Sequence, residues 1–193
     1  EVGTTTQLYK PTGSATPAAE NFNGTGKMGL SESLTNKAAD IDNYEYVSVD
    51  VTGATGANTP NANGDTTVTY NAGNQVVNYY YRRKNASSIT VHHIEDGTNT
   101  ELYTPTGASG PSPEIISGNG RLGTNENLTN RVADIPNFEY VSVDVTGANT
   151  ATTPSSTGAT TLTHTTSPQT VIYKYRRKNV GDVLVHHYEA GTT

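Results

Sequence analysis

The ten residues FEYVSVDVTG at 138–147 repeat YEYVSVDVTG at 44–53, an offset of 94 positions. The same offset carries Ala39-Asp40-Ile41 to Ala133-Asp134-Ile135 and Arg82-Arg83-Lys84-Asn85 to Arg176-Arg177-Lys178-Asn179. It also carries His92-His93 to His186-His187. Glu1-Val2-Gly3-Thr4-Thr5 returns as Glu95-Asp96-Gly97-Thr98-Asn99, and again as Glu189-Ala190-Gly191-Thr192-Thr193. Self-similarity at a fixed period marks a tandem array. The 193 residues therefore read as repeat 1 at 1–94, repeat 2 at 95–188 and the start of a third at 189–193.

A unit of this size buries roughly 60–65% of its unfolded surface, enough for a modest core. Hydrophobic residues are only 32% and the mean hydropathy is −0.58. Tyrosine is nevertheless abundant and valine falls in alternating runs, which points to thin β-structure with polar loops rather than to disorder. Cysteine is absent, so disulfides and thiolate metal sites are excluded. A net charge of −6 offers no field to attract nucleic acid or an anionic membrane. No apolar run approaches the roughly 20 residues of a membrane helix, so no membrane span is expected in this segment.

The fold class expected is mostly β with some α: two units, each a mixed sheet with one short helix. In 127–135, NLTNRVADI, Leu128, Val132 and Ile135 share one helical face, and SLTNKAADI at 33–41 matches it. Asn127 or Thr129 would cap this helix. In the anchor stretch Val141, Val143 and Val145 alternate with Tyr140, Ser142 and Asp144, giving a strand with one core face. Threonine-rich strands are expected at 66–71 and 160–165, and others near Leu102 and Leu122. The strand at 170–177, matched at 76–83, sets Val171, Tyr173 and Tyr175 on one face. After the short link 85–88 comes ITVHHI at 89–94, matched by VLVHHY at 183–188. So short a link leaves little room for swivel, and a stiff array is expected.

No arrangement of reactive groups emerges, and the chain is read as a non-enzyme without cofactor. Adjacent strand histidines point to opposite faces, so neither His92-His93 nor His186-His187 can chelate one ion. EDGTN at 95–99 reads as a tight turn rather than a calcium loop, because its copies lose the central acid. Glu45 and Asp50 also face opposite sides, ~16 Å apart by strand rise. The basic run Arg82, Arg83, Lys84 and its copy Arg176, Arg177, Lys178 read first as charged strand ends. A sharper reading makes them a contact for an anionic glycan, the arginine fork holding the acid while Tyr80 and Tyr140 stack on sugar rings.

ITVHHIEDGTNTEL, ADIPNFEYVSVDVTG and TVIYKYRRKN, in that order, resemble the MucBP (mucin-binding protein) repeat of Gram-positive surface adhesins. The family pattern is departed from at His93 and His187, where tyrosine is usual, and at Asn43 and Asn137, where glycine is usual. The resemblance implies a β-grasp-like unit, repeated along an extracellular stalk anchored to the cell wall. It implies a stiff spacer displaying an adhesive region, with neighbouring repeats as partners, or a module binding mucin-type glycoprotein through repeated weak sites. In the family phase the VHH strand opens a unit. Boundaries then become 1–85 without a first strand, 86–179 complete, and 180–193 a strand over. That strand, 183–188, either closes its own unit or exchanges into another copy, as the subunit of a filament would do.

Overall fold

The computed structural model describes residues 1–53, 59–148, 152–188 and 190. The start of a third repeat at 189–193 lies outside the described residues except for Ala190, as do parts of the loops after Gly53 and Gly147. Ten strands follow in order: β1 Ser31–Ser33, β2 Tyr44–Thr52, β3 Thr67–Thr69, β4 Val76–Arg83, β5 Ile89–Glu95, β6 Glu114–Ile116, β7 Asn125–Asn127, β8 Phe138–Thr146, β9 Thr161–Thr163 and β10 Gln169–Arg177. They divide between two compact units. Unit 1 is Glu1–Ser87 with Gly118–Thr124 and His164–Thr166; the remainder forms unit 2.

Unit 2 holds a mixed four-stranded sheet in the order β6-β5-β10-β8 and a small pair, β7-β9. Its spine is the parallel ladder of β5 on β10, which sets Ile89 opposite Gln169 and His93 opposite Tyr173. Alternation sends Ile89, Val91 and His93 to the same face as Val171, Tyr173 and Tyr175, as their spacing requires. All six are buried there, against Leu128, Ile135 and Leu162 among others. Unit 1 repeats the antiparallel half of this plan, β2 on β4 and β1 on β3. Leu34, Val68 and Tyr81 are buried, matching Leu128, Leu162 and Tyr175. Val77 and Tyr79 are only half-buried, whereas their counterparts Val171 and Tyr173 are fully enclosed. The mixed sheet expected in each unit is thus found only in unit 2 among the described residues, because β4 pairs along one edge only.

The short helices do not form: no described residue is helical. Leu128 and Ile135 do face the core, with Val132 beside them, but from a loop. The backbone there has better partners than its own carbonyls. Ala133 N–H donates to the buried Tyr175 hydroxyl at 3.0 Å, and Ala39 N–H to the Tyr81 hydroxyl at 2.9 Å. A helix would send each to the carbonyl four residues back. Asn127 does accept from Thr129 N–H through its side chain, but it opens a turn of the Asx kind.

Four strand expectations also change. A β-bulge lies where Lys174 and Tyr175 of β10 meet Ser142 and Tyr140 of β8, with Val141 the extra residue. Alternation therefore slips, so Tyr140 joins Val143 and Val145 against the core while Val141 is exposed. β2 carries the same device at Val47, also exposed. Near Leu122 the chain turns instead of forming a strand, and near Leu102 only a Glu101–Ile94 bridge remains. The segment 183–188 forms no strand in the single chain and lies exposed, so it does not close its own unit.

Gly53 and Gly147 end the long strands with φ near +73° and +75°. A Cβ on either would lie 2.3 Å from Asn74 O or 2.4 Å from Pro168 O. Both the left-handed backbone and the near carbonyl require glycine. Gly147→Ala is expected to destabilise unit 2 by more than ~1 kcal/mol, read as a lower urea midpoint by circular dichroism. A midpoint equal to the parent's would contradict this account.

Candidate functional site

The basic run closes the long strand in each unit, and strand register decides what it meets. In β4, Arg82 stands opposite Glu45 and Arg83 opposite Tyr44; in β10, Arg176 stands opposite Glu139 and Arg177 opposite Phe138. Cross-strand neighbours on one face are within side-chain reach. Arg82 Nε donates to Glu45 Oε1 at 2.5 Å, and Arg176 Nε to Glu139 Oε1 at 2.7 Å. Arg83 covers the Tyr44 ring at 4.5 Å and donates to its hydroxyl and to the Leu122 carbonyl. Arg177 covers the Phe138 ring at 4.9 Å and, where phenylalanine offers no hydroxyl, donates to Glu95 at 3.0 Å.

Every one of the four guanidinium groups therefore has an intramolecular carboxylate, hydroxyl or ring. The Arg176 side chain remains 68% exposed, so its ion pair is a surface pair of small energetic weight, ~0–1 kcal/mol. Lys84 and Lys178 form no ion pair with a described residue; their backbone N–H groups donate to Asn43 O and Asn137 O. Tyr80 is half-buried on β4, at the position Lys174 holds on β10. The structure does not bring Tyr140 to the arginines. It faces the core, away from Arg176, with its ring 6.4 Å from that of Tyr173 and edge-on to Tyr175.

A second candidate lies in unit 2, where a cleft of about 360 Å³ is lined by His93, Tyr103, Glu114, Arg131 and Asp134 among others. β5 supplies His93 and β6 supplies Glu114. The loop that replaces the expected helix supplies Arg131, which forms ion pairs with Glu114 and, at 3.9 Å, with Glu126. His93 is 2% exposed, stacked on Tyr173 with ring centroids 5.1 Å apart. Its Nδ1 lies 2.9 Å from the Tyr175 hydroxyl. Burial pushes that hydroxyl up to about 12, so it stays protonated. The same hydroxyl accepts from Ala133 N–H, leaving its proton for Nδ1. Burial also pushes the His93 imidazole down to about 4, Glu114 and Glu101 opposing only in part. The ring is neutral at physiological pH.

The repeats already signalled one part of this cleft. Glu114 and Arg131 correspond to Glu20 and Lys37, which also form an ion pair, at 3.2 Å. Opposite charges held at both positions, although most of 104–120 differs from its copy, mark a structural pairing. The histidine pair is also divided: His93 is inside, while His92 faces outward onto Glu101. The two rings are thus on opposite faces.

The buried imidazole ties unit 2 to pH. Its folded pKa lies below the unfolded value near 6.5, so the folded unit binds fewer protons between the two. Stability from this group is complete above about 6.5 and falls by about 3 kcal/mol as pH drops toward 4. Urea unfolding followed by tyrosine fluorescence between those limits should show this slope, and His93→Asn should flatten it whatever its own stability. A parent slope unchanged in His93→Asn would refute the assignment.

The MucBP domain family model matches residues 13–82 and again 88–176. A search of the curated proteins finds no match. The second matched segment includes all of β5 and nearly all of β10, the strands that form the parallel ladder. The two segments together cover most of the chain, which belongs to the MucBP domain family, tandem repeats of surface proteins implicated in mucin binding.

Proposed function

We propose that this chain is a stretch of stalk, a non-catalytic spacer whose repeats carry an adhesive region away from a bacterial cell wall. Weak contact with mucin-type glycoprotein is a secondary role of the same surface. The observation that supports this reading is the in-register pairing of Arg82 with Glu45 and of Arg176 with Glu139. The residues best suited to hold an acidic sugar are used in both repeats to close the sheet on itself. Around them the sequence keeps the bulge, the glycine stop and the tyrosine face, while loops 104–120 and 148–160 diverge from their copies. A shared ligand site would keep its loops; a shared body needs only its core.

Repetition also changes what a weak site can achieve. Linked sites of low affinity gain effective concentration when several engage one polymeric ligand, so a spacer and an adhesive are not opposed designs. No helix among the described residues is long and apolar enough to cross a membrane.

Binding of the chain to immobilised sialylated mucin should be weak, and Arg82→Ala with Arg176→Ala should leave it unchanged. Tight binding by the parent that the double substitution abolishes would overturn the spacer reading and favour the arginines as an acid-binding site.

A further inference from the structure

Asparagine followed by glycine occurs three times, at Asn23-Gly24, Asn63-Gly64 and Asn119-Gly120. In such a pair the glycine backbone nitrogen can attack the asparagine side-chain carbonyl, because the second residue has no Cβ to obstruct it. The outcome depends on what the folded chain does with that nitrogen and that carbonyl. All three pairs lie in unit 1, which treats them differently.

At two of the pairs the nitrogen is engaged. Gly64 is buried, and its N–H donates to Asn61 O at 2.9 Å. Gly120 N–H donates to Asn85 Oδ1 at 2.8 Å. Gly24 N–H, by contrast, has no protein acceptor among the described residues, and Asn23 and Gly24 are both exposed to water. The carbonyl at this pair is also prepared. Asn23 Oδ1 accepts from Thr25 N–H at 3.0 Å and from the Thr25 hydroxyl at 2.8 Å. Two donors on one carbonyl oxygen draw electrons from Cγ and stabilise the negative charge that the oxygen takes up during attack.

We propose that Asn23 is a site of self-modification, where the Gly24 nitrogen and the Thr25 donors convert asparagine to aspartate and isoaspartate. Gly24 N–H gives its proton to solvent, and the nitrogen bonds to Asn23 Cγ while Oδ1 becomes an oxyanion. Collapse of this adduct breaks Cγ–Nδ2, and the amide nitrogen takes a proton from water and leaves as ammonia. A succinimide ring remains. Water then opens either ring carbonyl, giving aspartate or isoaspartate; water is the only co-reactant consumed and ammonia the only by-product. Each product adds a negative charge to the chain ahead of β1, and isoaspartate also lengthens the main chain by one carbon. The 94-residue offset sets Ser117 in the place of Asn23, and serine cannot close this ring. The mark at this position is thus confined to the first repeat. This chemistry uses neither the arginines nor the cleft, so it is independent of the spacer reading.

The full chain, held in mildly alkaline buffer and then digested, is read by peptide mass spectrometry. The amide-to-acid shift should appear at Asn23 about tenfold or more faster than at Asn63 and Asn119, the factor that one hydrogen bond on the nitrogen is worth. Both aspartate and isoaspartate should form there. In concentrated urea the three rates should converge. Thr25→Val should slow the reaction at Asn23 several-fold, whereas Thr25→Ser, which keeps the hydroxyl, should not. Asn85→Ala frees Gly120 N–H and should speed the reaction at Asn119. Asn63 or Asn119 reacting as fast as Asn23, the same ranking in urea, or aspartate without isoaspartate would overturn the proposal. So would rates unmoved by both Thr25→Val and Asn85→Ala.

Discussion

The parallel ladder between β5 and β10 is the interaction on which unit 2 depends. It places Ile89, Val91 and His93 beside Val171, Tyr173 and Tyr175, so two adjacent strands cover one face without a gap. Parallel strands are normally buried because their crossovers cover them. Here the crossover is the whole of the unit between Glu95 and Gln169, containing β6 to β9. In unit 1, among the described residues, β4 has a strand partner on one edge only. Tyr81 stays buried, but Val77 and Tyr79 are left half open.

Polar groups inside this face are organised around the tyrosines. Tyr175 takes Ala133 N–H and faces His93 Nδ1, and the Tyr173 hydroxyl reaches the Leu128 and Gly158 carbonyls. A buried polar atom without a partner is costly, so each such bond holds a loop against the sheet. This is how a chain so low in hydrophobic residues keeps a defined core. The tyrosine ring supplies the apolar area and its hydroxyl secures the loop that a helix would otherwise have occupied.

The candidate surface was legible in residue type but not in direction. Arg82, Arg83, Arg176 and Arg177 stood out as a basic run, yet their partners sit 37 to 39 residues away for Glu45, Tyr44 and Glu139, and 82 away for Glu95. Only register brings those together. Strict alternation set Tyr140 with Ser142 and Asp144 on the face away from the core, and one bulged residue turned it inward. The His93 cleft had a trace in sequence, the charge pair Glu114 and Arg131 echoed by Glu20 and Lys37. Only the fold brings those charges together.

The sequence by itself determined the period, the β-rich class, the tyrosine face and the glycine stops. These depend on spacing of two residues along a strand or on a backbone angle that only glycine adopts freely. Tertiary structure alone decided that NLTNRVADI is a loop, that Val141 faces water, and that the arginines of the basic run are paired. Each of those outcomes turns on a partner distant in the chain. The Tyr175 hydroxyl outcompeted a helical carbonyl for Ala133 N–H, and cross-strand register chose Glu139 for Arg176. Local pattern sets which residues want burial; the fold sets which groups are close enough to satisfy them.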